Sequence, residues 1–126
     1  MPQQAGWFDV RFVPKPWGHE VIWAHTEQYV GKVLHVKAGH SLSLQYHKQK
    51  DETIHLLRGE MIYRLEKDGQ LIDLPFKAGQ SYRNTPGTIH QMEAVTDCDI
   101  LEASTPHLDD VVRLTDRYGR EGTTNP

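Results

Sequence analysis

Four residues of this sequence could share one ion. Gln45 and His47 lie in the run Ser43-Leu44-Gln45-Tyr46-His47, Glu52 follows five positions after His47, and His90 comes after the turn Thr85-Pro86-Gly87-Thr88. Two imidazoles, a carboxylate and a carboxamide offer two nitrogens and two oxygens. That set suits one divalent metal ion, zinc first and then manganese, iron, cobalt or nickel, and it leaves positions open for water or substrate. Side chains on a strand alternate between faces, so Ser43, Gln45 and His47 share one face and Leu42, Leu44 and Tyr46 the other. Alone, the polar face would read as the wetted side of an antiparallel sheet. Glu52 and His90 turn it into a candidate site. The lone cysteine, Cys98, excludes an internal disulfide and any multi-thiolate zinc centre, which suits a reducing compartment. It stands between Asp97 and Asp99, a setting that raises a thiol pKa, so no nucleophilic role is assigned to it.

The elements that must position these residues are strands. From Glu20 to Ser104 the apolar residues come in short runs broken by turn residues, with no sustained 3.6-residue period. The strands predicted are Glu20–Trp23, Tyr29–Val36, Leu42–His47, Thr53–Leu57, Met61–Glu66, Leu71–Leu74, Ser81–Arg83, His90–Ala94 and Ile100–Ser104. Lys67-Asp68-Gly69-Gln70 and Arg58-Gly59-Glu60 read as tight turns joining antiparallel neighbours. Val13-Pro14-Lys15-Pro16-Trp17-Gly18 cannot be helical and reads as an ordered arm or edge segment. Leu108 to Arg113 is expected as one helical turn or a final edge strand, and Glu121 to Pro126 as a frayed tail.

With 126 residues the chain can close one hydrophobic core. The expectation is a single all-β domain over 1–126: an N-terminal arm 1–19, a barrel over about 20–104 and a C-terminal segment 105–126. The net charge of −3 with no basic run argues against nucleic acid as a partner. No window resembles a membrane span or an export signal, so the expected location is the cytoplasm.

Gly39, Gln45, His47, Glu52 and Gly59, followed by Gly79, Gly87 and His90, resemble the two motifs of the cupins, with Gln45 where most cupins have a His and Thr85 and Ala94 at the usual Pro and Asn places. The resemblance implies a double-stranded β-helix, or jelly-roll, barrel. Leu42-Ser43-Leu44-Gln45-Tyr46-His47, Lys15-Pro16-Trp17-Gly18 and the closing segments Asp110-Val111-Val112-Arg113-Leu114 and Asp116-Arg117-Tyr118-Gly119-Arg120 are similar to the cupin domain of type II mannose-6-phosphate isomerases. That likeness extends from about Lys15 to Arg120 and includes no guanylyltransferase part. It implies a homodimer, a metal held by Gln45, His47, Glu52 and His90, and a sugar or sugar phosphate as the small-molecule substrate. Where the family has a His-rich run ending in Arg, Ala, Glu, His, this chain has Lys48-Gln49-Lys50-Asp51-Glu52-Thr53. Lys50 keeps the positive charge of that Arg without its planar fork.

The activity expected is therefore metal-dependent isomerisation or epimerisation, in which a base removes a proton beside a carbonyl. Glu93, Lys50, His55 and Tyr82 are the candidate bases, and Lys50 and Arg83 the candidate contacts to substrate. Two alternatives are a non-catalytic metal-containing sugar-binding barrel and an iron-dependent oxygenase. His19, His25, His40 and His107 are expected in surface loops.

Overall fold

The short apolar runs become β-strands. The computed structural model describes residues 5–121, so most of the expected C-terminal tail lies outside the described residues. Among them the elements are β1 (Arg11–Lys15), β2 (Gly18–His25), β3 (Val30–Val36), β4 (Leu44–Tyr46), β5 (Glu52–Arg58), β6 (Glu60–Lys67), β7 (Gln70–Lys77), β8 (Ser81–Asn84), β9 (His90–Ala94), β10 (Cys98–Ser104) and β11 (Val112–Thr115). No helix occurs among them, so none is long and apolar enough to cross a membrane.

The strands form a six-stranded sheet, β1-β2-β3-β10-β5-β8, and a five-stranded sheet, β11-β4-β9-β6-β7. From β3 onward the chain passes back and forth between them, which brings Glu52 of one sheet near His90 of the other. β5, β6, β9 and β10 alternate between a buried and a more exposed side. Leu34, Val36, Ile54, Leu56 and Ile100 from the larger sheet meet Met61, Tyr63, Leu65, Met92 and Ala94 from the smaller, with Trp17 and Phe76 added. Burying each large apolar side chain contributes about 1.5–3 kcal/mol. The same inward slots at the other end of the larger sheet hold Glu20, Lys32, Glu52 and Glu102, all buried. The barrel thus has an apolar end and a charged end.

Lys67-Asp68-Gly69-Gln70 is the tight hairpin expected: Asp68 and Gly69 take φ of 53° and 78° between β6 and β7, which pair along their whole length. The turn at Gly59 differs from expectation. It does not join paired neighbours, because β5 belongs to the larger sheet and β6 to the smaller. It is a corner, and the backbone there takes φ 103°. A Cβ on Gly59 would meet the Asp97 carbonyl oxygen at 2.3 Å and Cys98 Sγ at 2.9 Å. Gly59→Ala is therefore expected to cost about 2 kcal/mol or more, seen as a lower midpoint in urea or thermal melts.

Pro14 and Pro75 fall in β1 and β7, both edge strands, where a missing N–H is tolerated. Leu108–Arg113 resolves into a loop leading to the strand β11, the second of the two alternatives. The expected strand Leu42–His47 shrinks to β4, with Ser41 making a separate bridge to Glu93. In that irregular stretch Leu42 joins the core, leaving Leu44 and Tyr46 half-buried. His19 and His25 lie in β2 rather than in loops.

Cys98 is fully buried, and its Sγ–H is shared between the Glu60 and Thr96 carbonyls at 3.2 Å. Burial pushes the thiol up to about 11. At pH 8 thiol reagents are expected to leave the folded protein unlabelled and to modify Cys98 only after unfolding, as read by intact mass.

Candidate metal centre

β4, β5 and β9 bring the four predicted ligands to one end of the barrel. Gln45 of β4 stands opposite His90 of β9 in register, His47 follows directly after β4, and Glu52 opens β5. The Glu52 carboxylate lies between the two imidazoles: Oε1 is 3.5 Å from His47 Nε2 and Oε2 is 3.5 Å from His90 Nε2. The three donor atoms all lie within 4.8 Å of one another, and all three residues are buried. Donors bound at about 2.0–2.2 Å in a tetrahedron stand about 3.4 Å apart, so this spacing suits an ion better than a direct hydrogen bond.

Backbone carbonyls hold both imidazoles in place. His47 Nδ1 donates to the Asp110 backbone carbonyl at 2.6 Å, and His90 Nδ1 donates to the Thr88 carbonyl at 2.8 Å. Each ring therefore turns a bare Nε2 toward Glu52, and neither Nε2 has a hydrogen-bond partner. A buried polar atom without a partner costs about 1–3 kcal/mol, and two of them facing one carboxylate fit a divalent cation. Gln45 lines the same cavity, its Oε1 accepting from Ser43 Oγ at 2.7 Å.

Around this set the chain supplies support. Burial alone would raise the Glu52 carboxyl, but the Lys50 ammonium 3.1 Å away opposes it, and the net direction is well below the ordinary value. Asn84 Nδ2 donates to Glu52 Oε2 at 3.0 Å, and its own Oδ1 accepts from the buried Tyr63 hydroxyl. Asp110 caps the loop between His47 and Glu52: its carboxylate accepts from the backbone N–H of Lys48 at 2.9 Å, Gln49 at 2.6 Å and Lys50 at 2.8 Å. Asp110→Ala is expected to weaken metal affinity about 10- to 100-fold while the protein still folds, as measured by competition with a chelator.

Of the residues expected to act on substrate, Lys50 is the one at this cavity. Its Nζ lies 3.1 Å from Glu52 Oε1 and 2.9 Å from Glu102 Oε2. Burial would lower its pKa, but these two carboxylates raise it above the ordinary lysine value. Lys50 therefore stands as a buried cation between two carboxylates. Glu93 lies on the outer side of β9, held by Arg64 Nη1 at 2.7 Å, because it is an odd number of residues from the inward His90. His55 is turned outward from Glu52 for the same reason and meets Ser81 Oγ at 2.7 Å. Arg83 is exposed and forks onto Asp51. Tyr82 lies in a separate opening with Tyr63, Leu74 and Phe76, its ring centre 5.1 Å from that of Tyr63.

The cavity also holds charged residues not singled out by their sequence: Lys15, Glu20, Lys32, Glu102 and Arg113. A signal existed for Lys32. The inward positions of its strand read Val30, Lys32, Leu34, Val36, one ammonium in an apolar series. Asp110 offered none, since it acts on backbone 60 positions earlier.

Comparison with known proteins follows the same lines. The family model described as mannose-6-phosphate isomerase C-terminal matches residues 7–116. No curated protein matches the sequence. Among solved structures, oxalate decarboxylase from Bacillus subtilis superposes with a TM-score of 0.74 at 14% identity, over 84% of this chain and 30% of that one. KdgF from Halomonas sp. gives a TM-score of 0.63 at 20% identity, over 79% of this chain and 88% of that one. The capsular polysaccharide assembling protein CapF from Staphylococcus aureus gives 0.65 at 15%, over 89% of this chain and 33% of that one. The chain thus spans under a third of the oxalate decarboxylase it resembles. What these structures share with it is the all-β double-stranded β-helix of the cupins.

Proposed function

Because the chain belongs to the mannose-6-phosphate isomerase C-terminal family, we propose that it is a metal-dependent isomerase or epimerase of a sugar or sugar phosphate. The observation that carries this reading is a pair of orphaned imidazole nitrogens flanking Glu52, with a further buried carboxylate, Glu102, beside them. Among proteins similar in fold, Bacillus subtilis oxalate decarboxylase is described with Mn(II) centres. A divalent ion held by Gln45, His47, Glu52 and His90, zinc first, would supply a Lewis acid for charge developing on a sugar oxygen.

The chain's own residues divide the remaining work. Glu102 takes the proton from the carbon beside the carbonyl and returns it to the former carbonyl carbon, while the hydroxyl proton passes from one sugar oxygen to the other, so no outside oxidant or reductant is needed. Lys50 stays protonated between Glu52 and Glu102 and fixes both. The cavity measures ≈ 50 Å³, room for a few waters.

The test is ketose formation from mannose 6-phosphate and related aldose phosphates, expected to stop on chelation and to return when zinc or manganese is restored. Stoichiometric metal with no turnover on any of these substrates would defeat the isomerase reading. The second reading, a metal-containing sugar-binding protein without turnover, is favoured by the replacement of the family's His-rich run with Lys48-Gln49-Lys50-Asp51-Glu52-Thr53. A cytoplasmic homodimer is part of the proposal, its assembly checked by sedimentation.

A further inference from the structure

The barrel is open along one seam. β7 is the last strand of the smaller sheet and β8 the last of the larger, and the two do not pair. On β7, Ile72, Leu74 and Phe76 share the inward side. Ile72 and Phe76 pack on the core, yet Leu74 between them is 38% exposed. On β8, Tyr82 shares a side with the fully buried Asn84 and is still 36% exposed. Two large side chains in inward slots therefore border space that no described residue fills, although protein interiors leave few voids larger than a water. That space is a cavity of ≈ 370 Å³, within the range of about 300–1,000 Å³ usual for small-molecule sites.

Its two walls differ in chemistry. β7 supplies Leu74, Pro75 and Phe76, all apolar, whereas Gln80, Ser81 and Tyr82 on the other side carry an amide, a hydroxyl and a phenol. Gln80 Oε1 accepts from the Lys77 backbone N–H at 2.8 Å, which fixes the amide and leaves its NH2 group as a donor. β8 pairs on one side only, with β5, so its other edge keeps backbone N–H and C=O groups open to a ligand. Tyr63 touches both walls, its ring edge-on to Phe76 at 5.5 Å and 5.1 Å from that of Tyr82. No charged side chain among the described residues lines the cleft.

We propose that the cleft between β7 and β8 is a second binding site, one that takes a neutral pyranose ring. Such a ring has an apolar C–H face for Leu74, Phe76 and Tyr82, and several hydroxyls for the opposite wall. An anion would find no counter-charge there, and a wholly apolar compound would leave the polar wall unused. The site does not depend on the isomerase reading, because no residue of the metal cluster lines it.

Amide-resolved NMR titration of the zinc-loaded protein with methyl α-glucopyranoside and methyl α-mannopyranoside tests this. Saturable shifts are expected at Leu74, Phe76, Gln80, Ser81 and Tyr82, with a Kd of about 1 mM for a ligand of about a dozen non-hydrogen atoms. Tyr82→Ala removes the stacking ring and should weaken binding about tenfold, and Tyr82→Phe about threefold. Leu74→Trp, which fills the cleft, should abolish binding with metal content unchanged. If Tyr82→Ala fails to fold, Tyr82→Phe and Leu74→Trp carry the comparison. Neither pyranoside saturating the wild type would overturn the site, as would shifts gathered at His47 and His90 or binding that survives Leu74→Trp. Phenol bound more tightly than either pyranoside would overturn the choice of ligand, since phenol needs only the apolar wall and one hydroxyl.

Discussion

His47→Ala and His90→Ala are each expected to take metal content from about one ion per chain to near zero after dialysis. Each substitution removes one imidazole from a set whose donor atoms all lie within 4.8 Å, and leaves Glu52 facing a single ring. A protein that binds an ion only when folded gains RT ln(1 + [L]/Kd), about 3–4 kcal/mol when the ion is 100- to 1,000-fold above its Kd. Losing that linkage should lower the thermal midpoint of the metal-loaded protein by roughly 10–15 °C, given a few degrees per kcal/mol for a chain of this size. The metal-free wild type should melt close to either variant measured with or without metal. Full occupancy in both variants, by elemental analysis, would remove the assignment of the site.

The second large effect concerns Glu102. Glu102→Gln keeps the shape of the side chain and removes its ability to accept a proton. If Glu102 is the base, turnover should fall by about a hundred- to ten-thousandfold while metal content and KM stay near wild type. The neutral amide also leaves Lys50 with Glu52 as its only carboxylate partner among the described residues, so a modest loss of stability should accompany the change. A Glu102→Gln variant that turns over at the wild-type rate would move the proton transfer to another group. Glu93→Gln is a useful contrast, since its carboxylate faces Arg64 on the outside of the barrel and should alter the rate little.

The clustering of His47, Glu52 and His90 was legible because both motifs sit at strand ends and turns, where a residue's own spacing says which face it takes. The Asp68-Gly69 hairpin was legible for a similar local reason. Glu93 and His55 each stand three residues from an inward-facing site residue, His90 and Glu52, and the two-residue period of a strand sends them to the opposite face. At Gly59 the local chemistry told of positive φ but not which sheet the next strand would join, because that is decided by long-range pairing. Lys15, Glu20 and Lys32 meet only when β1, β2 and β3 pair in register, and Glu102 comes into the same row from a strand some seventy residues on. A helix-like period would have revealed such a cluster from one segment. Strands spread it over four.

The link from Tyr63 through Asn84 to Glu52 gives position 84 a direction. Its oxygen must face a phenol that donates, and its nitrogen must face a carboxylate that accepts. Aspartate has the shape but would set one anion against another, leucine has roughly the volume but would strand both neighbours, and an amide turned end for end satisfies neither. Any lineage that keeps an ion at this end of the barrel should therefore change residue 84 only together with residue 52 or residue 63, so the three should drift as a set while the exposed neighbour Arg83 varies freely.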